Sequence, residues 1–102
     1  MSIAGIKLRK LREKAGLSLR KAAVHIDIDV AILSKMERGK RKLTKALIVK
    51  LTNLYNADTK ELIIDFLSDK VIYELDGEEF GQEALKAAEK QLKYKKNNKF
   101  EN

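Results

Sequence analysis

Three features of this 102-residue chain predict an all-α fold: apolar residues recur at helical spacing, cap-type residues precede those runs, and there is no proline. Six helices and no strand are expected. The first, from Ile3 to Lys14, carries Ile6, Leu8 and Leu11 and stops at Gly16. Ser18 caps a second, Leu19 to His25, because its hydroxyl accepts an orphan backbone N–H. Leu19, Ala22, Ala23 and Ile26 share one face there. Asp27 falls at a sharp reversal, where Asp tolerates the left-handed conformation better than most residues. Asp29 caps a third helix, Val30 to Arg38, with Ile32, Leu33 and Met36 inward and Gly39 at its C′ position. A fourth follows the Thr44 cap and runs to Tyr55, with Leu47, Ile48, Leu51, Leu54 and Tyr55 inward and Asn56 closing it. Asp58 caps a fifth, Thr59 to Leu75, ended by Asp76–Gly77; a sixth, Glu78 to Tyr94, precedes a frayed tail.

The second and third helices, short and joined by a tight turn around small residues, make a helix-turn-helix pattern. With its flanks, this segment resembles the Xre/Cro/C1-type helix-turn-helix family of bacterial and phage DNA-binding regulators. The resemblance runs without a gap from Ile6 to Leu62, through KLRKLREKAGLSLRKAA, AILSKMERGKR and LIVKLTNLYNADTKELI. AGLS and the S-K-x-E-R-G-K-R string are its most specific parts. It implies a five-helix, lambda-repressor-like DNA-binding domain over 1–62. A helical extension, expected to dimerise, follows over 63–95, and 96–102 are the frayed tail.

Composition fits one small domain. Hydrophobic residues make up 44%, and no apolar run reaches the ~18 residues that span a bilayer. MSIAGIKLRK has no hydrophobic stretch before its charges, so no secretory signal is expected and the cytoplasm is the expected location. The absence of cysteine removes disulfide frameworks and thiolate metal sites together. The net charge of +7 is unevenly spread: residues 1–50 hold fourteen Lys/Arg against four Asp/Glu, and 51–85 hold two Lys against nine acids. Residues 86–102 return to six Lys against two Glu. A basic half beside an acidic one points to a polyanion on one face and another partner elsewhere.

By the resemblance, the third helix enters the major groove, and the positions matching base readers are Asp29, Val30, Ala31, Ser34 and Lys35. Many relatives carry Gln, Arg, Ser or Thr where this chain has Val30 and Ala31, which offer only apolar contacts such as thymine methyl groups. Lys35 can donate to guanine and Ser34 to a base or a phosphate. Asp29 is better explained as a cap than as a cytosine reader. Arg20 and Lys21 open the second helix, whose amino end usually touches the DNA backbone, although Leu19 stands where relatives often have Gln. Arg38, Lys40, Arg41, Lys42 and Lys45 form a basic loop suited to phosphates. Arg12 and Glu37 match a family ion pair that holds the recognition helix in place.

No catalytic set is present. His25 is the only histidine, and a solvent-exposed structural role is expected for it. Glu74, Asp76, Glu78, Glu79 and Glu83 lack the spacing of a calcium loop. No enzyme activity, cofactor or metal is expected. Beyond residue 62 the fifth helix is apolar on more than one side, and the sixth adds a small-residue stripe. Dimerisation is assigned there to Phe66, Leu67, Ile72, Phe80, Leu85, Ala88 and Leu92, against the alternative that the last helix folds back over its own core. The leading reading is a homodimeric, sequence-specific repressor of double-stranded DNA acting on a palindromic operator, self-regulating or controlling a restriction–modification locus. Two alternatives stand beside it: an antitoxin gripping a basic toxin through its carboxy-terminal helices, and an interaction module that has lost DNA binding.

Overall fold

Helix boundaries follow from side chains that satisfy the orphan groups at helix ends. The computed structural model describes residues 2–98, and among them are six helices and no strand: α1 (Ile3–Lys14), α2 (Leu19–His25), α3 (Val30–Glu37), α4 (Lys45–Leu54), α5 (Thr59–Leu75) and α6 (Gly81–Asn98). Ser18 accepts from the Lys21 N–H at 3.1 Å, Asp29 from Ala31 at 2.7 Å, Thr44 from Leu47 at 3.2 Å and Asp58 from Glu61 at 3.2 Å. These N-caps stand where the sequence places them.

The first four helices end in one way. The residue after the C-cap takes the left-handed conformation at Gly16, Asp27, Gly39 and Asn56, with φ of 73°, 56°, 73° and 53°. Two reversed hydrogen bonds close each end; after α2 they run from Asp27 N–H to Val24 O at 3.2 Å and from Ile28 N–H to Ala23 O at 3.0 Å. The next residue then points inward at three of the four ends, since Leu17, Ile28 and Ala57 pack against the core. Each stop therefore also anchors the following loop.

The core gathers Ala4, Leu8, Ala22, Ala23, Ile26, Leu33, Met36, Leu43, Ile48, Leu51, Tyr55, Leu62 and Phe66. Helix α3 packs on both α1 and α2, and α2 also meets α4. Thr52, fully buried on α4, donates or shares its hydroxyl with Ile48 O at 2.8 Å and Thr59 Oγ1 at 2.6 Å, so its polar atom is satisfied.

The chain divides into two compact units, with the division between Lys70 and Val71. The first unit thus runs past residue 62: Ile63 packs on the core, and Phe66 is only 7% exposed with Lys70 Nζ 4.5 Å above its ring. Phe66, assigned above to dimerisation, is a core residue. Sequence periodicity could not tell which of the apolar sides of α5 turns inward.

The second unit corrects the sixth helix at both ends. Residues 78–80 form a turn, with Glu78 N–H donating to Leu75 O at 3.0 Å and Gly81 N–H to Glu78 O at 3.2 Å. A Cβ at Gly81 would lie 2.9 Å from Leu75 O, so this turn requires glycine, and α6 starts there rather than at Glu78. Its other end reaches Asn98, where Lys95 and Lys96 complement the negative end of the helix dipole. Of the expected frayed tail, 96–98 are therefore helical and 99–102 lie outside the described residues. No helix among the described residues is long and apolar enough to cross a membrane.

Candidate nucleic-acid interface

The two-helix unit is built around α3, a short helix held from several sides. Its start is fixed by Asp29, whose Oδ1 accepts from Ala31 N–H at 2.7 Å and Ile32 N–H at 3.4 Å. Leu33 and Met36 bury its inner face, and Ile32 and Val30 pack partly against the same core. What remains outward is a stripe of Ala31, Lys35 and Arg38, exposed, with Ser34 half-buried beside it. Of the five residues matched to base readers, Ala31, Ser34 and Lys35 thus lie on the accessible side. Val30 is half-buried against the core, and Asp29 is engaged at the cap.

The end of α3 is clamped to α1. Arg12 Nε donates to Glu37 Oε2 at 2.8 Å and Nη2 to Oε1 at 3.0 Å, a forked pair whose members are only 8% and 6% exposed. Arg12 Nη1 also donates to Leu17 O at 2.9 Å, drawing in the loop before α2. The Glu37 hydrogen bonds raise the guanidinium pKa above its ordinary value, against the opposing effect of burial. The ion pair expected from the family resemblance is present.

Two further long-range contacts of α1, one of them to α3, are not visible as local patterns. Gly5 sits within α1, and a Cβ there would lie 2.7 Å from Met36 O and 2.8 Å from Glu37 O. Only glycine lets α1 approach the last turn of α3 so closely. A glycine inside a helical pattern, where it costs about 1 kcal/mol relative to Ala, was the available signal. Asp69 on α5 supplies the other: its carboxylate accepts from Ile3 N–H at 3.0 Å, Ala4 N–H at 3.0 Å and Ser2 Oγ at 3.1 Å. Ser2 Oγ in turn accepts from Gly5 N–H at 2.9 Å. The start of α1 is therefore capped from the far end of the first unit, and no local pattern announces a partner 65 or more residues away.

The basic segment after α3 is held by its one apolar member. Leu43 is buried, while Arg38, Lys40, Arg41, Lys42 and Lys45 around it are exposed. Arg20 and Lys21 are exposed in the first turn of α2, whereas Leu19 packs on the core. Among the described residues, ion pairs join Lys7 to Glu61 and Asp65, Arg9 to Glu13 and Arg12 to Glu37. None involves Arg20, Lys21, Lys35, Arg38 or the four cations at 40–45. These eight charges are thus not neutralised by ion pairs among the described residues, and a polyanion can take them without first breaking one of those pairs.

A model of the family described as a helix-turn-helix domain matches residues 3–62. The chain belongs to this family. The match covers α1 to α4 and the start of α5, including the whole of α3 and its basic exit. Membership of the helix-turn-helix family implies DNA binding and agrees with the Xre/Cro-type resemblance of the sequence. No curated protein and no solved structure matches the chain. In this helix-turn-helix protein His25 is exposed, and among the described residues no cluster of three His, Asp or Glu is placed to hold a metal.

Proposed function

We propose that this protein is a sequence-specific, double-stranded-DNA-binding transcriptional repressor that acts as a homodimer on a palindromic operator. One observation carries the reading: the outward stripe of α3 continues directly into five exposed cations over 38–45. In the major groove, Lys35 donates to guanine, Ser34 to a base edge or phosphate, and Ala31 contacts a thymine methyl group. Arg20, Lys21, Arg38, Lys40, Arg41, Lys42 and Lys45 neutralise phosphates and set register without reading sequence. Arg12 and Glu37 keep α3 in position and touch no DNA.

Dimerisation supplies the second half-site that an eight-residue recognition helix needs for useful affinity. Without Phe66, the surface assigned to it comprises Leu67, Ile72, Phe80, Leu85, Ala88 and Leu92; of these, Leu67, Ile72, Phe80 and Leu92 are large exposed hydrophobics. Regulation of its own promoter, or of a restriction–modification locus, follows from concentration through the monomer–dimer equilibrium. Mobility shift on the protein's own upstream DNA at two salt concentrations tests the proposal. Salt-weakened preference for one fragment supports it, and equal affinity for random DNA contradicts it.

One observation favours a second reading, an antitoxin. Exposed Ile72 and Tyr73 are followed by exposed Glu74, Asp76, Glu78 and Glu79, which join no ion pair among the described residues, an acidic and apolar combination suited to a basic protein. Co-purification of a small basic protein with the full chain, lost in Ile72→Asp, would carry that reading.

A further inference from the structure

We infer that the first turn of α3 senses the C5-methyl group of a pyrimidine, so that methylation of a cytosine at one position of the DNA site tightens binding. This rests on the DNA-reading role proposed above for α3 and names the base chemistry that its first turn selects.

That turn presents one side chain outward, and the side chain is a single methyl group. Asp29 spends its Oδ1 on the helix start, accepting from Ala31 N–H at 2.7 Å and Ile32 N–H at 3.4 Å. Val30 and Ile32 are half-buried and pack against the core. Among residues 30–33 only Ala31 is exposed. The hydrogen-bonding side chains of the outward stripe, Ser34, Lys35 and Arg38, come in the second half of the helix and at its end. Rolling the helix to offer another face is blocked, because Leu33 and Met36 are buried and Glu37 is tied to Arg12.

Base edges differ in what they offer an aliphatic group. In the major groove the purines present only acceptors and amino donors. Covering those with a methyl group removes water without replacing its hydrogen bonds. A C5-methyl group is the one apolar feature of that groove. Thymine and 5-methylcytosine carry it at the same ring position, whereas uracil and cytosine lack it. Ala31 gains contact area from the methyl group and cannot hydrogen-bond to the C4 substituent, a carbonyl in thymine and an amino group in cytosine. Selection at this contact is therefore for the methyl group, whichever of the two bases bears it. One methyl group removed from water corresponds to about four-fold in affinity, and changing both half-sites to about fifteen-fold.

Mobility shift of the full-length protein on its preferred upstream duplex tests this. Each thymine in turn is replaced by uracil, and each cytosine by 5-methylcytosine. One pyrimidine per half-site is expected to respond, binding about four-fold tighter with the methyl group than without it. If that pyrimidine is thymine, a T·A pair exchanged there for C·G is expected to regain affinity when the cytosine is methylated. In Ala31→Gly the response should disappear. Ala31→Ser, which sets a hydroxyl in place of apolar surface, should also lower it; this second variant is needed because glycine weakens a helix by itself. Arg41→Ala should bind every duplex more weakly and keep the response. A parent that tells thymine from uracil, or 5-methylcytosine from cytosine, at no position overturns the methyl reading and leaves DNA recognition standing. So does a response that persists undiminished in both Ala31 variants, which would place the effect in DNA shape. A parent with no preference among upstream fragments overturns both.

Discussion

Arg12 and Glu37, 25 residues apart, meet through two hydrogen bonds of 2.8 and 3.0 Å in a nearly dry site. A third hydrogen bond of Arg12, to Leu17 O, ties the α1–α2 loop to the same point. One side chain thereby fixes both the last turn of α3 and the entry to α2. Removing one member strands the other charge, which costs about 3–5 kcal/mol for a buried pair, a large part of the 5–15 kcal/mol typical of a domain. Glu37→Ala is expected to lower the urea midpoint sharply and to weaken DNA binding through loss of the folded state. An unchanged melting temperature would contradict this.

Gly5→Ala sets two effects in opposition. Alanine favours a helix interior by up to about 1 kcal/mol. Its methyl group would meet Met36 O and Glu37 O at 2.7–2.8 Å, and backbone atoms cannot swing aside. Overpacking of this kind costs about 1–3 kcal/mol, so the clash prevails and the net effect is destabilisation with α3 displaced. Denaturant unfolding checks the sign: a stabilised Gly5→Ala variant would show that α1 and α3 are further apart.

Asp69→Ala removes three acceptor contacts from the start of α1. Loss of an N-cap typically costs about 1 kcal/mol. Amide exchange should accelerate at Ile3 and Ala4 while the ends of α2 and α3 are little changed. Equal exchange in both proteins would mean that Ser2 alone caps the helix.

Tyr55 is buried, its hydroxyl has no hydrogen-bond partner among the described residues, and burial raises its pKa from 10.0 to about 12. The raised value favours the protonated form when folded. Its contribution to stability is therefore complete below pH 10 and is lost as pH rises from 10 towards 12. Tyr55→Phe removes an unsatisfied polar atom at little change of shape, and should be neutral or slightly stabilising near pH 7. The variant should also lose less stability than the parent between pH 10 and 12. Parallel stability curves for the two proteins over that range would contradict the assignment.

Much of the fold is legible locally, because caps and stops are short-range chemistry. Ser18, Asp29, Thr44 and Asp58 start helices, and Gly16, Asp27, Gly39 and Asn56 end them, each satisfying groups within a few residues. The basic exit of α3 is equally legible as a charge run. What the sequence hides is long-range. Asp69 looks like one more acid on an exposed helix until α1 lies beside it. Gly5 acquires a reason only from the backbone of α3, and the burial of Phe66 depends on which side of α5 meets the core. Val30 matched a reading position, but part of its side chain serves packing instead.

Binding to the upstream DNA at two salt concentrations checks the proposed DNA recognition by α3 together with the anchoring by its basic exit. Lys35→Ala should cost about 1–3 kcal/mol on the preferred fragment and relax preference at one base pair. Arg41→Ala should weaken binding to all sequences alike and reduce the salt slope by about one. A parent protein whose affinity is independent of salt, or a Lys35→Ala variant with unaltered preference, would contradict the account.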